Sequence, residues 1–208
     1  MEKPAKRSLL IALAVLVVAA AAVFVVLGRS GSPGDASADA GFARDMATHH
    51  AQAVDMSFTI RDKSSSKDVR NLAYDIITTQ STQRGMFLGW LQEWGLDQTG
   101  DRPAMAWMAH GGHGPVAAGG SMPGMASPQD LTRLKDAQGT AAEVVFLQLM
   151  IRHHEGGLQM AQGLVKLSNR DEVVGMAQKI INGQTGEIKL MTEMLRQRGA
   201  QPLPSILK

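Results

Sequence analysis

Two short segments of the chain combine a pair of adjacent histidines with flanking methionines. The first copy consists of Met46, His49, His50 and Met56, and the second of Met150, His153, His154 and Met160. The copies lie 104 residues apart without a gap, and together they hold four of the six histidines. On a helix, at about 100° per residue, the histidines and methionines of each copy border one face. Each segment therefore predicts a helical face of imidazole and thioether groups.

Imidazole and thioether together form a ligand set for a soft or borderline metal, above all copper. Thioether favours Cu(I), whereas imidazole accepts either oxidation state. The chain contains no cysteine, which excludes disulfides and thiolate sites. We therefore predict copper as the cofactor, with the four paired histidines as its main ligands and the four flanking methionines as additional ligands. The simpler alternatives are surface or core histidines and methionines that only fill the core.

The repeat extends to the helices that must position these residues. At the same offset Phe42 matches Phe146, Gln80 matches Gln184, and Gly95 matches Gly199. A match that keeps core and stop signals in register indicates a duplicated helical hairpin. Two hairpins predict an all-α four-helix bundle with a pseudo-two-fold axis. The two histidine faces would either meet near that axis or form two separated sites.

Capping signals predict where the helices begin and end. We expect four long helices. The first covers residues 39–62 and the second runs from the Ser64–Ser66 break to about residue 94. The third covers 140–167, and the fourth runs from a cap at Asn169 to about residue 198. Capping boxes are predicted at Ser65–Asp68, Thr140–Glu143 and Asn169–Glu172. Ser127 and Pro128 are expected to open a further short helix.

Residues 96–127 interrupt this pattern with a segment rich in glycine, methionine and histidine. Its lack of helical periodicity predicts a long, mobile loop. Methionines outside a core suggest a flexible arm that captures soft metals, with disordered low complexity as the alternative. The candidate additional ligands in this loop are Met105, Met108, His110 and His113, with Met122 and Met125 beyond them.

The N-terminus predicts export. Lys3, Lys6 and Arg7 precede an uncharged apolar stretch over residues 9–27, which is long enough to span a bilayer. The positive charges would stay in the cytoplasm, so the rest of the chain would lie outside. We expect a membrane anchor or signal segment over 1–29, a linker over 30–38 and the bundle over 39–208. The net charge is only +2 and no basic stripe is present, which argues against a nucleic-acid partner.

These motifs resemble a known family, the ferritin-like domain-of-unknown-function family numbered 305. The resemblance rests on both Met-x-x-His-His copies and on Gln184-x-x-Glu187-Ile188-x-x-Met191. It implies a ferritin-like bundle over about residues 39–199. Some exported members of the family are associated with copper binding and copper resistance, so the resemblance also implies a copper-related role.

The expected function is therefore a non-enzymatic, extracytoplasmic copper-binding protein that sequesters copper or hands it to a protein partner. One alternative is a ferritin-like metal-dependent oxidase, but the Glu-x-x-His pairs of di-iron bundles are absent. Another is a structural or partner-binding bundle whose histidines sense pH.

Overall fold

The computed structural model of the chain describes residues 11–20, 23, 31–111 and 122–207. The chain divides into two compact units, residues 1–33 and residues 34–208. Residues 11–20 and 23 are helical, and the other residues of the predicted membrane span over 9–27 lie outside the described residues. Among the helices that are described, none is both long enough and apolar enough to cross a bilayer.

The second unit consists of helices, and the described ranges contain no strand. The helices are α1 (Ala38–Lys63), α2 (Lys67–Glu93), α3 (Pro128–Asp136), α4 (Gly139–Leu167) and α5 (Asp171–Gln197), with a 3₁₀ helix at Ala106–Gly111. The end of α1 and both ends of α2 recur 104 residues later in α4 and α5. The all-α prediction is confirmed, and the duplicated hairpin recurs in the helix bounds.

The helix stops follow the sequence, whereas most of the predicted starts do not. Gly95 and Gly199 take the left-handed backbone, with φ of 70° and 68°, that ends α2 and α5. Ser127 and Asp130 form a reciprocal capping box on α3. The three other predicted boxes are wrong, because α2, α4 and α5 begin without a side-chain bond from the capping residue.

A pair of serine hydroxyls explains those missing caps. Ser64 Oγ accepts a hydrogen bond from the Ser66 backbone N–H and donates one to the Glu143 carboxylate, at 2.5 Å. Ser168, the repeat mate of Ser64, donates in the same way to Asp39, also at 2.5 Å. Asp39 lies in the first turn of α1, and Glu143 is the fifth residue of α4. Each interhelical loop is therefore tied to the start of the other hairpin.

The two hairpins meet mainly through α1 and α4, while α1 packs on α2 and α4 on α5. Their contact separates two hydrophobic clusters. Cluster 1 includes Phe42, Phe87, Leu91 and Leu164. Cluster 2 includes Ile60, Ile76, Phe146 and Leu195. The histidine segments of α1 and α4 lie where the helices face one another, between the clusters.

The glycine-rich loop is more ordered at its start than predicted. Met105 and Met108 are buried in cluster 1, with exposed fractions of 2% and 9%. The Asp45 carboxylate accepts bonds from the Met105 backbone N–H at 2.7 Å and from Trp107 Nε1 at 2.8 Å. The prediction of a mobile arm is therefore wrong for Met105 and Met108, because the half-buried Asp45 carboxylate and the Trp107 indole fix this turn against the core.

The C-terminal segment, residues 200–207, lies along α4. Gln148 and Gln159 donate to its backbone carbonyls, both at 2.7 Å. The Glu155 carboxylate accepts from the Ser205 hydroxyl at 2.6 Å and from the Ile206 backbone N–H at 3.0 Å. These polar side chains of α4 hold the C-terminal segment against the helix, a contact that the sequence pattern did not predict.

The serine ties predict a measurable cost of removal. Ser64→Ala should lower the free energy of unfolding by about 2 kcal/mol, because it removes a donor from a largely buried carboxylate. Thr132→Ala is the matched control, since that exposed hydroxyl bonds only a carbonyl of its own helix. Urea unfolding of both variants measures the difference. Equal, small losses would show that the tie contributes nothing.

Candidate functional site: a buried imidazole cluster

Four buried histidines meet where α1 and α4 cross. His49, His50, His153 and His154 are each fully buried. The rings of His49 and His153 are in contact, with centroids 3.7 Å apart and planes inclined by 34°. The ring centroids of His153 and His154 lie 6.4 Å apart. Of the two arrangements that the sequence left open, the structure has the one in which the faces meet.

The second histidine of each pair donates to the neighbouring helix of its own hairpin. His50 Nε2 lies 2.7 Å from Gln83 Oε1, and His154 Nε2 lies 2.6 Å from Glu187 Oε2. Amide and carboxylate oxygens accept, so both Nε2 atoms carry the hydrogen. In a neutral ring, Nδ1 is then left as a lone-pair donor.

His49 makes the equivalent bond to a loop. Its Nε2 lies 3.1 Å from the carbonyl oxygen of Pro123, which can only accept. Pro123 belongs to residues 122–126, here called the strap, which runs from Met122 in cluster 1 to Ala126 in cluster 2. The strap therefore holds His49 in the same tautomer as the other two rings.

Glycines allow the strap and α5 to approach α4 closely. A Cβ on Gly156 would lie 1.9 Å from the Pro123 carbonyl oxygen, and one on Gly157 would lie 2.3 Å from Gln184 Oε1. Gly124, with φ of 77°, would place a Cβ 2.4 Å from the Arg152 carbonyl oxygen. The glycine pair in mid-helix therefore serves close approach, which offsets the cost of about 1 kcal/mol per glycine in a helix.

Several buried nitrogens of this cluster lack hydrogen-bond partners. Within the described residues, eleven buried side-chain nitrogen or oxygen atoms have no hydrogen-bond partner, and nine belong to the four histidines, Gln80 and Gln184. They include Nδ1 of all four rings and Nε2 of His153. An unsatisfied buried polar atom costs about 1–3 kcal/mol, so the concentration of five unpartnered imidazole nitrogens in this cluster marks a site for a guest.

Burial keeps the rings of His49, His50 and His153 neutral. It lowers the pKa of His49 to about 4, although the bond to Pro123 acts in the opposite direction. Burial, aided by neighbouring His49, lowers the pKa of His50 to about 3. Burial and then the three other imidazoles hold the pKa of His153 well below its ordinary value. These rings therefore present lone pairs at neutral pH, which is the form that binds metal.

Two buried methionines flank the imidazoles on each side. Met46 and Met160 belong to cluster 1, whereas Met56 and Met150 belong to cluster 2. All four are buried, with exposed fractions of 0–1%. Because α1 and α4 run in opposite directions where they meet, each cluster contains one of these methionines from the first repeat and one from the second. The structure thus places all four predicted methionines in the cores that border the histidines.

A family domain described as "Domain of unknown function (DUF305)" matches residues 39–195. The chain belongs to this family. The crystal structure of a DUF305 protein from Streptomyces coelicolor, named as secreted, has 44% sequence identity and a TM-score of 0.75. It covers 82% of this chain and 99% of its own. No curated protein matches the chain.

Two further solved structures are similar to this chain. A DUF305 fragment from Deinococcus radiodurans has 31% identity and a TM-score of 0.63, covering 77% of this chain and 96% of its own. CopM in its Cu(I)-bound form has 27% identity and a TM-score of 0.58, covering 76% of this chain and 96% of its own. CopM has also been solved in a Cu(II)-bound form.

The groups that orient these histidines are not the carboxylates nearest to them in the sequence. Those nearest carboxylates are Asp45, Asp55 and Glu155. Asp45 instead anchors the loop, Asp55 is exposed, and Glu155 binds the C-terminal segment. Sequence neighbours on one helix point away from the ring, so the orienting groups come from other elements.

Gln83 and Glu187 were missed, although a signal existed. Each lies 33 residues after the histidine that it contacts. Both hairpins have the same loop length, so this spacing places an acceptor opposite the second histidine in both repeats. The side chain of His110 and the whole of His113 lie outside the described residues.

The histidine cluster supplies nitrogen donors, but they are not already arranged around a position for a metal ion. In the described ranges, no group of three or more histidine, aspartate or glutamate side chains is arranged to hold a metal ion. The face contact of His49 and His153 leaves little room between their rings. The donors nevertheless fit copper in kind: neutral imidazoles with lone pairs on Nδ1, and thioethers on both sides.

Gly156→Ala should loosen the strap. Its Cβ would collide with the Pro123 backbone, so we expect a loss of about 1–3 kcal/mol in the free energy of unfolding. Gly183→Ala, also in mid-helix but with open space around it, should instead gain up to about 1 kcal/mol. Thermal unfolding compares the two variants. A stabilised Gly156→Ala protein would show that the strap does not rest on α4 as described.

Metal-free protein should lose stability as the pH falls below about 6.5. An unfolded histidine titrates near 6.5, whereas folded His49 and His50 titrate near 4 and 3, so the unfolded chain binds more protons in between. The contribution of these two histidines to the free energy of unfolding is fully present above pH 6.5 and declines towards pH 4. We expect a falling unfolding midpoint between pH 6.5 and 5, above the range of most carboxyl groups. A constant midpoint there would contradict neutral, buried rings.

Proposed function

We propose that this protein is an extracytoplasmic, non-enzymatic copper-binding protein that sequesters copper or passes it on. The observation that carries the proposal is the set of four buried imidazoles with unpartnered Nδ1 atoms. Three of them are oriented by Nε2–H bonds to oxygen acceptors. A metal ion would satisfy nitrogen lone pairs that otherwise cost free energy.

Copper fits this donor set better than the common alternatives. Magnesium and calcium prefer oxygen ligands, and thiolate sites are excluded by the absence of cysteine. His49, His50, His153 and His154 would hold the ion. Met46, Met56, Met150 and Met160 would favour the monovalent state. The Cu(I)- and Cu(II)-bound forms of CopM support the same metal at 26–27% identity.

The loop residues would add a secondary contribution. Met105 and Met108 share cluster 1 with Met46 and Met160, so any thioether from the loop would act within the core. His110 and His113 follow in the sequence and would supply additional imidazole ligands for capture. A rearrangement of the strap or loop would then accompany copper uptake and release.

The carboxylates argue for binding and against oxidase chemistry. A ferritin-like di-iron centre uses four carboxylates with two histidines. In the described part of the chain, Glu187 is the carboxylate that hydrogen-bonds to one of the four imidazoles. A nitrogen-rich, carboxylate-poor site suits retention of copper more than activation of oxygen at iron.

The predicted location supports a role in copper homeostasis outside the cytoplasm. The apolar residues 9–27 follow three basic residues, and the Streptomyces coelicolor relative is named as secreted. The N-terminal segment would anchor the domain to the membrane as a single span, or be cleaved to release it. Copper exchange with a protein partner in the same compartment would follow from either arrangement.

Copper titration tests the proposal. The purified protein should bind Cu(I) and Cu(II) tightly in competition with a chelator, without oxygen consumption. The double variant His49→Gln and His153→Gln should lose at least about tenfold in affinity for both ions, because it removes two ligands from the centre of the site. Circular dichroism would verify that the variant remains folded.

The chain offers a matched control. The double variant His110→Gln and His113→Gln removes two histidines from the loop and should retain the tight site. If the core variant bound copper as well as the wild type, the buried histidines would not be the ligands. Oxygen turnover by the copper- or iron-loaded protein would instead support the oxidase alternative.

A further inference from the structure

The two hairpins differ at one matched pair of positions beside the histidines. Gln83 and Glu187 are separated by the repeat distance of 104 residues, and each accepts from the second histidine of its hairpin. The distances are 2.7 Å for His50 and 2.6 Å for His154. The same structural position therefore carries a neutral amide in one half and a carboxylate in the other.

The two acceptors fix ring orientation equally but differ in charge. Either oxygen holds Nε2–H and leaves Nδ1 as the donor. A carboxylate also withdraws the proton towards itself and raises the basicity of the imidazole as a ligand. At equal distance its charge attracts a dication twice as strongly as a monocation. The Glu187 side chain is 26% exposed, so solvent screens this attraction only in part.

We propose that Glu187 makes the second half of the site selective for Cu(II) over Cu(I), whereas Gln83 leaves the first half without this preference. This inference rests on the proposed copper function and adds an oxidation-state selectivity to it. Glu187 is a positioning residue that acts through His154 and through its charge. The four methionines are shared between the two sides, so their preference for Cu(I) does not cancel the difference between the halves.

The chain allows a reciprocal exchange as the experiment. Glu187→Gln gives the second half the acceptor of the first, and Gln83→Glu does the reverse. Each keeps an oxygen acceptor of similar size for its imidazole, so ring orientation is retained while the charge changes. Glu193→Gln is the control, because that carboxylate lies on the same helix but pairs with Arg196 at the surface.

Affinities for Cu(II) and for Cu(I) under reductant should be measured separately by chelator competition on each full-length variant. Glu187→Gln should weaken Cu(II) binding about tenfold and change Cu(I) binding by less than about threefold. Gln83→Glu should strengthen Cu(II) binding by a similar factor. Glu193→Gln should change neither affinity.

Equal shifts for both ions in Glu187→Gln would show that Glu187 only orients the ring, and would overturn the proposal. Unchanged Cu(II) binding in Gln83→Glu would overturn it as well, and that variant decides the matter if Glu187→Gln does not fold. A wild type that binds neither ion refutes the proposed function itself. A copper-binding wild type whose variants show no split refutes only the selectivity.

Discussion

The organisation of this protein depends on one constraint, the direction in which buried imidazoles place their nitrogens. His49, His50 and His154 each donate from Nε2 to an oxygen supplied by a different element: the strap, α2 and α5. Every such bond fixes a tautomer and leaves Nδ1 buried without a partner. The fold thereby accepts an electrostatic cost in its centre, and the donor set that results is suited to a soft or borderline metal ion.

Duplication explains how the chain builds this centre, and its departures from symmetry explain how the centre is closed. The serine ties, the methionine pairs and the acceptors on α2 and α5 all recur between repeats. The strap does not recur. It crosses α4 at Gly156, whose repeat mate is Gln52, and the Gln52 amide instead clamps Ala126 by two bonds of 2.7 and 3.0 Å. One repeat thus supplies the surface beneath the strap and the other supplies its anchor.

Sequence reasoning predicted the features that follow from periodicity. The helices, the glycine stops and the duplicated histidine faces depend on local signals repeated in register, whereas the meeting of the two faces was left open and is decided by the structure. Sequence reasoning failed where tertiary contacts determine the local structure, as at the starts of the helices. Thr140 and Asn169 look like capping residues, but Ser64 and Ser168 join the loops to the opposite hairpins and displace those caps.

The loop shows the same limit more clearly. Met105 lies in a glycine-rich stretch that reads as mobile, yet Asp45, 60 residues earlier, fixes its backbone. No local pattern contains that contact. The orienting role of Glu187 was also missed, because its spacing of 33 residues from His154 becomes informative only when the hairpin is known to place α5 beside α4.

Nitrogen NMR of histidine-labelled protein tests the central claim most directly. In metal-free protein at neutral pH, His49 and His50 should appear as neutral Nε2–H tautomers. On addition of Cu(I), which is diamagnetic, their Nδ1 resonances should move while Nε2 remains protonated. Protonated Nδ1 atoms in the free protein, or unchanged Nδ1 resonances once Cu(I) has bound, would contradict the account.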